Sequence, residues 1–171
     1  MTAFTIFHTA LSVLPVGFGF AALARHGAIT TRTRLGRWYL GTMLAASVSG
    51  LGFVVTLGFT PGQVLGLFTI ALLAVGTLTL RGRWRVPGYT QTLAFSASYF
   101  MLMVFATTET LRHFPVGEPF ATGPNEPALI PVRLVLLALC VIGAIYQVFQ
   151  VRAVNATARL ERIMAQYRQA A

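Results

Sequence analysis

Five long apolar stretches, separated by clusters of arginine, constrain this chain more than any other feature. By number they are 4–24, 38–59, 63–80, 89–113 and 134–151. A bilayer core takes about 20 helical residues to cross, and each stretch reaches or approaches that length. In lipid, backbone polar groups must be satisfied within the segment, so such stretches fold as helices. The expected fold class is therefore all-α: an integral membrane bundle of five transmembrane helices within residues 1–153, followed by an amphipathic tail over 154–171. Only 10% of the residues are charged, against 56% apolar. A soluble domain carries about 25% charged residues, so an ordinary soluble globule is excluded. Thirteen phenylalanines exclude a disordered chain, and a single cysteine excludes a disulfide framework or a thiolate metal cage.

The net charge of +9 comes from thirteen arginines against four glutamates, with no Lys and no Asp. The arginines lie between apolar runs, so the partner they indicate is the lipid bilayer and not nucleic acid. Arg25, Arg32, Arg34 and Arg37 follow the first stretch; Arg81, Arg83 and Arg85 follow the third; Arg152, Arg159, Arg162 and Arg168 follow the fifth. The opposite ends carry only Arg112 and Arg133, accompanied by Glu109, Glu118 and Glu126. Positive loops stay in the cytoplasm. The expected topology has the N-terminus outside and the C-terminus in the cytoplasm, in a bacterial inner membrane crossed several times. Ala22-Leu23-Ala24 has the small-residue look of a cleavage site, but no positive region precedes the first apolar run, so that run is read as a retained span.

The connections differ in kind. In Phe59-Thr60-Pro61-Gly62-Gln63, Thr60 suits an N-cap, Pro61 the first helical position and Gln63 the closing residue of a capping box. Residues 114–132 hold five prolines and read as an irregular outer lid or a stiff connector. In the tail, Leu160, Ile163, Met164 and Tyr167 recur at helical spacing opposite Arg159, Arg162 and Arg168. That face either lies on the inner membrane surface or packs on a partner. Small residues mark where helices approach: Gly41, Ala45 and Ser49 with Ala46 and Gly50 in the second stretch, Gly17 and Ala21 in the first, Ala94 and Ser98 in the fourth. The second-stretch stripe is also the expected face for a homo-oligomer or a membrane partner subunit. Pro15 is expected to kink the first span and free the carbonyl of Leu11.

Ionisable residues inside spans are where chemistry is sought first. His8 and Glu109 each lie about one turn inside the outer end of a span, and His113 follows Glu109 by four residues, on the same helical face. Three functional readings follow. A proton or substrate site would use His8 and Glu109, with Tyr99 on the wall of a cavity lined by the fourth helix; this is a small-molecule or ion binding or transport-type role. A divalent metal would take His8, Glu109 and His113 as ligands. A haem would take His8 and His113 axially, making the chain a redox or enzymatic membrane subunit. The competing structural reading pairs Glu109 with Arg112 or a histidine at headgroup level. The fourth stretch is the most polar, through Ser96, Ser98, Tyr99, Thr107 and Thr108; Gln147 and Gln150 read as interhelical glue, Cys140 as a small apolar residue and His26 as a solvated headgroup contact. No phosphate loop, zinc-protease, serine-hydrolase or paired-cysteine motif occurs, and without Asp a Ser-His-Asp triad is excluded.

Residues 7–55 resemble a family of small bacterial multi-span inner-membrane proteins of unknown function. The matching elements are Phe7-His8-Thr9, then Pro15-Val16-Gly17-Phe18-Gly19-Phe20, then Arg32-Thr33-Arg34-Leu35-Gly36-Arg37-Trp38-Tyr39-Leu40-Gly41. Where the family pattern has His in the basic loop, this chain has Arg32; a second His element before the fourth span is replaced by Arg83-Trp84-Arg85-Val86-Pro87. The resemblance implies an inner-membrane bundle. It implies no activity.

Overall fold

A computed structural model describes residues 2–79 and 87–170, and these are helical with no strand among them. The helices are α1 (Ala3–His26), α2 (Arg34–Leu51), the short α3 (Val54–Leu57), α4 (Pro61–Leu78), α5 (Pro87–His113) and α6 (Ile130–Ala170), with a 3-10 turn at Pro127–Leu129 leading into α6. Four segments, Ala3–His26, Arg34–Thr56, Pro61–Leu78 and Pro127–Gln169, are long and apolar enough to cross a membrane. The fifth long helix, α5, has the length but falls short in apolarity, through Thr90, Gln91, Thr92, Ser96 and Ser98 on one side of its apolar run and Thr107, Thr108, Glu109 and Thr110 on the other. Leu80, Arg81, Arg83, Arg85 and the Arg83–Val86 element lie outside the described residues.

Local chemistry explains where the helices begin and end. The Thr2 hydroxyl accepts from the Thr5 amide at 3.3 Å to start α1. Gly27, at φ 68°, ends it, its amide N–H donating to the Leu23 carbonyl at 2.8 Å. The helix carrying the second expected span starts at Arg34, ahead of residue 38: the Thr33 side chain caps the Gly36 amide at 3.1 Å, so Arg34 and Arg37 lie within the first turn. α2 breaks at Gly52, where the Phe4 ring stands so close that a Cβ would lie 2.9 Å from its Cζ. Before α4, the Thr60 amide donates to the Gln63 side-chain carbonyl at 2.7 Å, as the capping pattern requires. α1 runs through Pro15 without interruption.

α1 packs on α2, α2 on α4, α4 on α5, and α1 meets α5 to close a four-helix ring; α6 joins from outside through α5. The small core sits where the ring closes, with Ala22, Tyr39, Met43, Leu73, Phe95 and Leu102 in mutual contact. The buried face of α1 runs through Pro15, Gly19 and Ala22, not through Gly17 and Ala21. A Cβ on Gly19 would collide with the Tyr99 ring at 2.4 Å, and one on Gly76 with Phe95 at 2.4 Å. Glycine at these two positions lets α5 approach α1 and α4 closely. Most large apolar side chains point outward instead; Phe20, Val48, Phe68, Leu139 and Ile142 are each exposed. Apolar surface on this scale belongs in lipid.

The helix that carries the last expected span does not end with it at residue 151. α6 continues for 41 residues without a break, about 61 Å at 1.5 Å per residue. No proline follows Pro131, and Gly143 is the last glycine, so nothing in the tail stops a helix.

Candidate functional site

The polar face of α5 is tied to its neighbours at successive depths. Ser98 donates to the Phe95 carbonyl at 2.8 Å, leaving its oxygen to accept from the fully buried Tyr39 hydroxyl at 2.8 Å. Tyr99 donates to the Val16 carbonyl of α1 at 3.3 Å, and its ring meets Tyr39 edge-on with centroids 6.0 Å apart. Gln91 donates to Thr31 at 3.1 Å. Ser96 donates to the Gln147 side-chain oxygen at 2.7 Å, and Gln147 donates onward to the Gly27 carbonyl at 3.1 Å. One side chain thus joins α5, α6 and the C-terminal end of α1. These polar groups are engaged in contacts with α1, α2 and α6, so α5 is the hub that joins them. In a membrane such bonds contribute about 0.6 kcal/mol each on average.

The expected site residues occupy three separate places. His8 Nδ1 lies 2.8 Å from Ser49 Oγ, and Nε2 lies 3.4 Å from Ser12 Oγ. Ser49 donates to the Ala46 carbonyl at 2.9 Å, so it accepts from His8. The network therefore assigns the proton to Nδ1, and Nε2 faces the Ser12 hydroxyl. Phe53 covers the ring edge-on at 5.1 Å, and Gly50 leaves it room. His8 is thus committed to α2 and its own helix. Glu109 pairs with Arg112 at 2.9 Å, both about a third exposed, a contact worth about 0–1 kcal/mol. His113 Nδ1 lies 2.8 Å from the Glu109 backbone carbonyl and is exposed. Tyr99 is ten residues from Glu109, about 15 Å along the helix.

Among the described residues no three His, Cys, Asp or Glu side chains are placed to hold one metal ion. The set His8, Glu109 and His113 is not gathered, because α1 turns His8 toward α2. His8 bonds to Ser49 of α2, while His113 bonds back to the Glu109 carbonyl of its own helix. The Ser12–His8 contact has the kind of a nucleophile and base, but 3.4 Å is long for a hydroxyl hydrogen bond. Its Nδ1 faces a hydroxyl where a triad needs a carboxylate.

Beyond α5 the chain folds back over the helix end. Ala121 donates to the Leu111 carbonyl and Phe120 to the Phe114 carbonyl, each at 3.2 Å. Within this segment Ala121 and Leu129 are buried. One carboxylate oxygen of Glu126 takes the amide of Thr122, the hydroxyl of Thr122 at 2.9 Å and the amide of Gly123 at 3.3 Å. The backbone bond from Thr122, with those from its hydroxyl and from Gly123, holds the Glu126 carboxyl below the usual carboxylate range. Arg133, in the first turn of α6, donates to the Pro124 carbonyl and to Thr108 of α5 at 3.5 Å. These contacts tether residues 114–132 to the end of α5.

Compared with protein-family profiles, curated proteins and solved structures, the chain finds no match. Functional inference therefore rests on its own geometry. Sequence reasoning missed Gly19, Gly76, Tyr39 and Thr31 as partners of α5, since periodicity shows which residues share a face and not which helix faces them.

Proposed function

We propose that the chain crosses a bacterial inner membrane five times, N-terminus outside, and serves as a partner subunit that presents a cytoplasmic helix to another protein. The observation that carries this is α6, unbroken over Ile130–Ala170. Residues past Val151 extend about 28 Å beyond the span. There Leu160, Met164 and Tyr167 are 62%, 60% and 75% exposed, and Ile163 shares their face. A helix continuing straight from the membrane holds this face away from lipid, which favours a partner over the membrane surface. Arg159 and Arg168, against one glutamate at 161, flank it. The matching surface is an amphipathic helix with an apolar seam and acidic flanks. The outward small residues of α2 agree: Gly41 and Ala45 are exposed, and a Cβ at Gly41 would touch nothing within 4 Å. The arginine distribution supports the topology, and the polar α5 is enclosed by helices that are themselves apolar.

The test is a photo-crosslinking residue at Tyr167 in intact membranes. A discrete protein adduct that disappears with Ile163→Glu, and whose crosslinked segment is an acidic amphipathic helix, supports the proposal. Adducts to lipid alone overturn it.

A further inference from the structure

A second feature, independent of the tail, lies at the other end of α6. An open groove of about 360 Å³ runs between α5 and α6, walled by Phe100, Met101, Val104, Leu134 and Leu137, with Arg133 also in its wall. On α5 the apolar wall and Thr108 share one face, since 101, 104 and 108 recur at helical spacing. Along α6 the lining runs from Leu137 to Ile130, about 10 Å, most of the depth of hydrocarbon in one leaflet, about 15 Å. Arg112 stands one turn beyond Thr108 on that face, toward the end where Arg133 meets Thr108 at 3.5 Å. One arginine thus stands in the wall of an apolar slot, and a second lies one helical turn past the threonine that the first contacts. The Nε of each is shielded from solvent and donates to nothing among the described residues. A buried donor left unpaired costs free energy until an acceptor reaches it. Glu109 offsets only one of the two charges, through Arg112.

We infer that this groove holds one anionic phospholipid, an acyl chain lying between α5 and α6 and the phosphate at Arg133 and Arg112. The charge selects the headgroup and the walls select a chain over a soluble phosphate. Under the proposed topology the lipid belongs to the outer leaflet. The site depends on the bilayer reading but not on any cytoplasmic partner.

The experiment reconstitutes the full chain in vesicles and measures the motionally restricted fraction of spin-labelled phosphatidylglycerol and of spin-labelled phosphatidylcholine. Wild type is expected to prefer phosphatidylglycerol about fivefold, the size of one arginine beside an anionic lipid surface. Arg133→Gln brings the two lipids to equality, while Arg133→Lys, which keeps the charge, retains a preference. Val104→Phe, which fills the slot with both arginines in place, removes the preference as well. Equal restriction of both lipids by wild type, or an undiminished preference in Arg133→Gln or Val104→Phe, overturns the lipid site and leaves the tail proposal standing. No restricted component with either lipid overturns the bilayer reading itself.

Discussion

Gly19→Ala is the sharpest test of how the ring closes. The added Cβ would stand 2.4 Å and 2.5 Å from two carbons of the Tyr99 ring and 3.1 Å from Tyr39. Carbon atoms pack comfortably at about 3.5–4.0 Å, so Tyr99 must retreat by about 1 Å or α1 must move off α5. Either movement strains the Tyr99 bond to the Val16 carbonyl. Overpacking of this kind costs about 1–3 kcal/mol. Alanine also favours a helix over glycine by about 1 kcal/mol, which would mask part of the cost. Gly17→Ala supplies the control: it lies in the same helix, and its Cβ would meet nothing within 4 Å. The propensity gain cancels between the two variants, leaving a difference of about 1–3 kcal/mol, or roughly 5- to 140-fold in the folding equilibrium. Reversible unfolding in mixed micelles, followed by circular dichroism as the denaturing detergent fraction rises, measures it. Equal midpoints for the two variants would refute the close approach of α5 to α1.

Gln147→Leu removes both bonds joining Ser96 and Gly27 and should cost about 1 kcal/mol in the same assay. The loop should respond to acid. The Glu126 carboxyl is held below its unfolded range, so its bonds to Thr122 and Gly123 are present above that range and fade as pH falls through the lowered folded value. Hydrogen exchange of residues 114–132 should quicken on acidification beyond the intrinsic pH effect; in Glu126→Gln it should already be fast at neutral pH and lose that dependence. Because His8 is committed to Ser49 and Ser12, purified protein should show no haem absorbance and no stoichiometric metal, and His8→Ala should lower stability by about 1 kcal/mol; a coloured or metal-loaded preparation would contradict that placement.

The apolar stretches were legible because length and composition alone mark helices that lipid must surround. Their ends were legible only where a recognisable cap stood, as at Thr60 and Gln63. Thr33 was overlooked because the turn it caps is basic, and arginines read as loop. The continuity of the tail with α6 follows from the absence of a helix stop at Asn155, Ala156 and their neighbours. Glu109 and His113 could be placed on one face from spacing, and the Glu109–Arg112 pair was foreseeable for the same reason. His8 could not be assigned a neighbour, since only packing turns it toward Ser49. The small-residue rule likewise identified the kind of contact but chose Gly17, two residues from Gly19, which carries it.

The most direct measurement is the distance along α6 in a bilayer. Cys140 is the chain's single cysteine and is free, so one substitution, Ala165→Cys, completes a spin-label pair. Twenty-five residues of unbroken helix separate the two positions by about 38 Å. A tail bent flat onto the membrane near Arg152 would bring them to about 27 Å. A distribution centred near the longer distance is the predicted result; one centred near the shorter would contradict a helix held out toward a partner.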